Sequence, residues 1–143
     1  MNNISIMKIN SVAQLRELVS VFTLAFETEY KVSDEYLNTM LEGSTTLILG
    51  AVVDEKIVGG LVAMEILPIH GSKEFYIYDI AVHPAHQQKG IGRKLIEHLK
   101  VEAKSRGIQT IFVEAESEDI GAVEFYLAIG GEEVMVNHFN FNI

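Results

Sequence analysis

Phe75-Tyr76-Ile77-Tyr78-Asp79-Ile80-Ala81-Val82-His83-Pro84-Ala85-His86-Gln87-Gln88-Lys89-Gly90-Ile91-Gly92-Arg93-Lys94-Leu95-Ile96 changes its hydrophobic period once, across a turn. From Phe75 to Val82 the chain is apolar or aromatic on both faces apart from Asp79, which predicts a strand inside a sheet. From Ile91 the apolar positions are Ile91, Leu95, Ile96, Leu99 and Ala103, the spacing of one helix face, with a stop near Gly107. Between them lies Gln87–Gly92. A glycine-rich turn from strand to helix exposes backbone N–H groups at the positive end of the helix dipole, which suits a pyrophosphate. A P-loop would need Ser or Thr after its Gly-Lys, and a dinucleotide fingerprint would need glycine where Leu95 stands, so neither reading fits. Lys89, Arg93 and Lys94 add cations around the same turn.

Outward from this turn, Ile4 to Ile9 alternates like an edge strand, and Ser11 with Gln14 offers a capping box. The stripe Val12, Leu15, Leu18, Val19, Phe22, Ala25 and Phe26 then predicts a first helix, and Ser33-Asp34-Glu35 starts a second that stops at Gly43. Thr46–Val53 and Ile57–Leu67 read as a hairpin over Asp54-Glu55-Lys56, with a bulge expected at Gly59-Gly60. Pro68–Lys73 reads as a loop, Ile108–Val113 as a strand, Asp119–Ile129 as a helix ending in Gly130-Gly131, and Met135–Ile143 as a terminal alternating strand. Strands and helices alternate with no repeat or linker, which predicts one α/β domain over residues 1–143.

Composition narrows the chemistry. At 143 residues and 48% apolar content the chain can bury a continuous core. It has no cysteine, which excludes disulfides, thiolate zinc sites and a cysteine nucleophile. The opening Met1-Asn2-Asn3-Ile4-Ser5-Ile6-Met7-Lys8 has no basic start or long apolar stretch, and no apolar run reaches the roughly 20 residues of a membrane helix, so a cytoplasmic protein without membrane association is expected. The net charge of −9 argues against nucleic acid as a partner. That charge is divided: residues 86–106 hold six of the eleven Lys and Arg against two acids, whereas seven acids and no Lys or Arg follow from Gly107 onward. An anionic ligand is drawn to the first segment and a cationic one to the second. His83 and His86 form a close pair without a third ligand nearby, so no metal site is expected.

The segment Ala81-Val82-His83-Pro84 entering Gln87-x-x-Gly90-x-Gly92 resembles the phosphate turn Gln/Arg-x-x-Gly-x-Gly/Ala of the GNAT superfamily of N-acetyltransferases. Ala122, Phe125, Tyr126 and Gly130 match that family's late helix pattern, with Asp119 in place of its usual Asn. The resemblance implies the GNAT fold: a central, mixed, mostly antiparallel twisted sheet flanked by helices, with two splayed central strands, here Phe75–Val82 and Ile108–Val113. It implies acetyl-CoA as cofactor, held by Ile80, Ala81 and Val82 along the first splayed strand, by Gln87, Gln88, Lys89, Gly90, Ile91, Gly92 and Arg93 in the turn, and by Asp119, Ala122 and Tyr126 on the late helix. Tyr126 would stand by the sulfur as general acid for the departing thiolate. With no cysteine and no Ser-His-Asp arrangement, direct transfer in a ternary complex is expected over a covalent acyl-enzyme.

A narrower resemblance, to aminoglycoside 3-N-acetyltransferases of type I, runs through Ala63-Met64-Glu65-Ile66-Leu67-Pro68, Tyr76-Ile77-Tyr78-Asp79-Ile80-Ala81-Val82, Val113-Glu114-Ala115 and Glu132-Glu133-Val134-Met135 to His138-Phe139. It implies Asp79 as the general base that deprotonates the acceptor ammonium, with Glu65, Glu114, Glu116 and Glu118, joined by Asp119, as an acidic rim binding a cationic small-molecule amine. The family's acidic run departs at Glu114-Ala115-Glu116-Ser117-Glu118-Asp119-Ile120, which leaves polyamines, other amino sugars and peptide amines open, as well as a non-catalytic acyl-CoA-binding module. Edge pairing of Met135–Ile143 between two copies would make a homodimer.

Overall fold

The computed structural model describes residues 3–143; Met1 and Asn2, at the head of the opening segment, lie outside the described residues. Strand β1 spans Ser5–Lys8, helix α1 Val12–Phe26, α2 Asp34–Glu42, β2 Thr46–Val53, β3 Lys56–Ile66, β4 Glu74–Val82, α3 Ile91–Ser105, β5 Thr110–Val113 and α4 Ile120–Ala128. The strands form one sheet in the order β1-β2-β3-β4-β5. The first three pairings are antiparallel and β4–β5 is parallel, reached by the crossover through α3. This is the mixed α/β architecture expected from the alternation of periods.

Local signals set the element ends. Ser11 accepts the Gln14 N–H at the start of α1, Gln14 Oε1 reaches back to the Asn10 N–H, and Ser33 accepts the Tyr36 N–H at the start of α2. Two cores lie on opposite faces of the sheet. On one side α3 packs Ile91, Leu95, Ile96, Leu99 and Ala103 against Leu47, Leu49, Leu61, Ala63, Phe75 and Ile77. On the other, α1 and α2 pack Leu15, Leu18, Val21 and Leu37 against Ile48, Ile57 and Val62. Gly60 permits this contact: a Cβ there would lie 2.3 Å from a Leu18 methyl and 2.8 Å from the Leu49 carbonyl oxygen. The bulge expected at the glycine pair falls on Val58, since Ala51 pairs with Gly59 and Val52 with Ile57. The glycines serve close packing beside it.

The expected terminal strand is absent. Residues 131–143 carry no strand and are exposed throughout, although Met135–Ile143 alternates as a strand should. Strand β5 is also shorter than expected, and Ile108 serves as a buried core residue just before it.

Candidate active site

Strand β4 builds the site by losing its regularity. Val62 pairs with Asp79 but Ala63 with Ile77, so Tyr78 is an extra residue in β4. A bulge reverses the alternation of faces beyond it. Phe75 and Ile77 belong to the α3-side core, and so do Ile80 and Val82. Tyr76 and Asp79, three residues apart, therefore share the opposite face, the one on which Val62, the pairing partner of Asp79, packs against α1. Burial holds the Asp79 carboxyl above the usual carboxylate range.

Strand β5 follows β4 only from Glu74 to Ile77, where Ile77 pairs with Val113. Beyond that point the β5 side of β4 is an open edge. His83 N–H donates to the Val58 carbonyl at 2.7 Å, so by alternation Ala81 also turns its backbone groups to β3, while Ile80 and Val82 turn theirs to the gap. Of the three strand residues expected to hold the cofactor, Ile80 and Val82 have their N–H groups toward the gap and Ala81 toward β3. Gln87 closes the end of the gap, its Nε2 donating to the Val82 carbonyl at 3.0 Å.

The turn after β4 is open and carries glycine at its left-handed position, a form that suits a phosphate group. Gly90 sits at φ 81° with nothing within 4 Å of a Cβ position, and it caps α3 without a side-chain acceptor. The first-turn N–H groups at Ile91, Gly92 and Arg93 are left without helical acceptors, the arrangement that suits an anion. Gln88 is also left-handed, at φ 62°. Arg93 and Lys94 are exposed, and Lys89 Nζ donates to the Ala85 carbonyl at 3.3 Å. Gly92 has a different reason to be glycine: a Cβ there would lie 2.9 Å from Phe125 Cζ, so its missing side chain lets α4 dock on α3. His83 Nδ1 accepts the Ala85 N–H within the intervening 3-10 turn.

Helix α4 places Tyr126 against the α3-side core, its ring edge-on to Phe125 at 5.2 Å. Burial, with the Asp119 charge adding to it, pushes the Tyr126 hydroxyl up to about 12. Asp119 Oδ1 accepts the Ala122 N–H at 3.1 Å, so both of these proposed cofactor contacts are engaged in capping α4. Tyr126 and Asp79 consequently stand on opposite faces of the sheet, with the β4–β5 gap between.

The acidic rim is only partly assembled. Glu65 pairs with Phe75, whose ring lies in the α3-side core, so its side chain projects on the face away from Asp79. Alternation along β3 separates it from the others. Glu114 follows β5, and burial first, then the charge of that carboxylate, pushes the Tyr76 hydroxyl up. Glu116 and Glu118 are exposed in the loop before α4. What the sequence reading missed is aromatic: Tyr76 stacks on Phe112 at 4.8 Å and meets Tyr78 edge-on at 5.6 Å. The Tyr76/Tyr78 spacing signalled a shared face; the Phe112 stack depends on the parallel register of β4 and β5.

The sequence profile of the acetyltransferase (GNAT) family matches residues 12–130. In sequence the chain is 35% identical over 63 residues to the [ribosomal protein bS18]-alanine N-acetyltransferase of Escherichia coli K12, a match spanning 44% of this chain and 43% of that enzyme. In structure it is similar to the aminoglycoside acetyltransferase meta-AAC0020 from an uncultured soil metagenomic sample, solved with trehalose and with sisomicin. Those two comparisons give a TM-score of 0.93, identities of 29% and 27%, and coverage of 98% of this chain and 96% of the other. It is also similar to the aminoglycoside acetyltransferase HMB0005 from an uncultured soil metagenomic sample, with TM-score 0.90, 34% identity and 99% of both chains covered. With a profile match over most of its length and a splayed β4–β5 pair ending in a glycine turn, the chain belongs to the GNAT acetyltransferase family.

Proposed function

We propose that this acetyltransferase moves an acetyl group from acetyl-CoA to a primary amine of a cationic amino sugar of the aminoglycoside type, by direct transfer across the β4–β5 gap. The observation that carries this reading is the division of the gap: cations, free N–H groups and Tyr126 stand on the α3 side, and Asp79 with an aromatic and acidic patch stands on the other. Acetyl-CoA supplies the activated thioester. The Gly90 turn and its cations hold the phosphates, and the Ile80 and Val82 N–H groups bind the pantetheine arm and the thioester carbonyl, where fixed donors stabilise developing negative charge.

On the acceptor side Asp79 holds the ammonium and takes its proton, directly or through water, leaving a neutral nucleophile. Its raised affinity for protons suits that task. Tyr126, with its hydroxyl near 12, stays protonated at neutral pH. Because a thiol ionises at about 8.5, complete proton transfer from this phenol to the thiolate is uphill by roughly three to four pH units, and its contribution is a hydrogen bond to the departing sulfur. The Tyr76/Phe112/Tyr78 group offers ring faces to a sugar or a cation, and Glu114 beside it supplies charge.

A free-thiol release screen with aminoglycosides, polyamines and alanine-terminated peptides tests this function. Turnover confined to aminoglycosides supports it, and NMR of the product then tests the 3-amino position implied by the narrower resemblance. The sequence match to the bS18 enzyme favours a second reading, N-terminal peptide acetylation. Turnover confined to peptides would establish that reading and remove the first.

A further inference from the structure

The β4–β5 gap has a floor. Ile77 pairs with Val113 where the two strands come together, and from there down to Glu74 and Thr110 the sheet is closed. With the phosphates at the Gly90 turn, the pantetheine arm runs down the gap toward this point. An acyl group longer than acetyl cannot continue in the plane of the sheet and must turn to one face. The two faces differ. On the Asp79 side the paired residues Tyr76 and Phe112 stack at 4.8 Å and cover the surface. On the α3 side lies a cavity of about 460 Å³, and Ile77, Val113 and Tyr126 all line it.

The cavity is apolar where it meets the gap. Ile77, Ile96 and Ala103 are buried residues of the α3-side core, and Ile111 and Ile129 pack against that core from β5 and from the end of α4. Polar groups stand at the outer rim, where Lys100, Lys104, Gln109 and Glu132 line the cavity and are exposed. Its volume is on the small-ligand scale of roughly 300–1,000 Å³. An acetyl methyl leaves most of that space to water, so the apolar lining gains neither burial nor dispersion contacts. Further methylenes on the same carbonyl would supply both.

We propose that this cavity is an acyl-chain pocket, and that the enzyme takes straight-chain donors of the butyryl- to hexanoyl-CoA class as well as acetyl-CoA. The inference rests on the placement of the CoA arm in the β4–β5 gap and is independent of which amine accepts. The thioester lies between the two faces, so the chain occupies the α3 side while the amine approaches from Asp79, and neither displaces the other. The bond changes are those of acetyl transfer. The amine nitrogen bonds the acyl carbon, the carbon–sulfur bond breaks, and its electron pair leaves with sulfur. Of the two protons that the ammonium loses, one passes through Asp79 to solvent and one ends on the CoA thiol.

Calorimetric titration of the full chain with acetyl-CoA and with hexanoyl-CoA, without acceptor, tests the pocket. Hexanoyl-CoA is expected to bind at least about tenfold tighter, the scale set by an added methylene in an apolar pocket. Ala103→Leu, which fills the floor, should abolish that gain and leave the affinity for acetyl-CoA unchanged. Equal or weaker binding of hexanoyl-CoA, or a gain that survives in Ala103→Leu, would overturn the proposal. Binding of neither donor removes the acetyl-CoA reading together with it. Should the variant unfold, NMR of the wild type decides: nuclear Overhauser contacts from the hexanoyl chain to the Ile111 and Ile129 methyls support the pocket, and contacts to the Tyr76 and Phe112 rings refute it. With sisomicin as acceptor, mass spectrometry should find the hexanoyl amide. An enzyme that acetylates sisomicin yet transfers no hexanoyl group refutes the wider donor range, whereas one that acts with neither donor loses the amino-sugar reading and leaves the titration to decide.

Discussion

Asp79 carries two opposed demands. Burial that raises its proton affinity makes it a better base and a poorer structural residue. Asp79→Asn should lower kcat by about 10²–10⁴-fold with little change in KM for acetyl-CoA, as measured by steady-state thiol release. In the wild type, kcat/KM should fall on the acid side with an apparent pKa above the usual carboxylate range, and that limb should vanish in the variant. The stability effect has the opposite sign. The folded state binds the Asp79 proton more tightly than the unfolded chain does, so stability declines as pH rises from the unfolded pKa through the folded one. Asp79→Asn should therefore raise Tm at neutral pH, with the difference closing in acid. Tyr126→Phe should reduce kcat by only about tenfold, the scale of one lost hydrogen bond, and leave the pH profile unchanged up to the alkaline limit set by a hydroxyl near 12.

At the level of elements, the two glycines of the turn have separate tasks. Gly90 bears a left-handed conformation in open space, and Gly92 accommodates the Phe125 ring of α4. Gly92→Ala should cost about 1–3 kcal/mol in denaturant unfolding by pushing that ring outward, and Phe125→Leu should restore part of the loss. Because Tyr126 neighbours Phe125, KM for acetyl-CoA should rise in Gly92→Ala and recover partly in the double variant. Glu102 ties β1 to α3: the hydrogen bond from Lys8 first, then Arg106, holds its carboxyl below the usual range against some burial. That stabilisation is present above the unfolded pKa and is lost as pH falls through the folded one. Glu102→Gln should lower stability at neutral pH by about 0.5–1 kcal/mol and have no effect at strongly acid pH.

Over the whole molecule the charge division of the sequence becomes a division across the sheet. The cations of residues 86–106 gather at the α3 side, and Asp79 and Glu114 lie toward the other. Both substrates are then steered by opposite fields, so KM for each should rise with ionic strength. Glu114→Gln should raise KM for a cationic acceptor several-fold, leave KM for acetyl-CoA unchanged, and flatten the salt dependence of the acceptor alone. Equal shifts in both constants would place Glu114 outside the acceptor site.

Periodicity and capping determined the elements, because Ser11, Ser33, Gly43 and the apolar stripes act within a few residues of themselves. The turn at Gln87–Gly92 was legible for the same reason. Three things depended on tertiary structure. The bulge at Tyr78 arises from register against β3, and it alone puts Asp79 on the face of Tyr76. The exclusion of Glu65 from the rim, and the stacking of Phe112 on Tyr76, follow from which strands are neighbours, a long-range matter to which local spacing is blind. Residues 131–143 show the limit most plainly: their alternation states that they want to be a strand, but a strand exists only where another edge accepts its hydrogen bonds, and that edge is supplied by the fold and not by the segment.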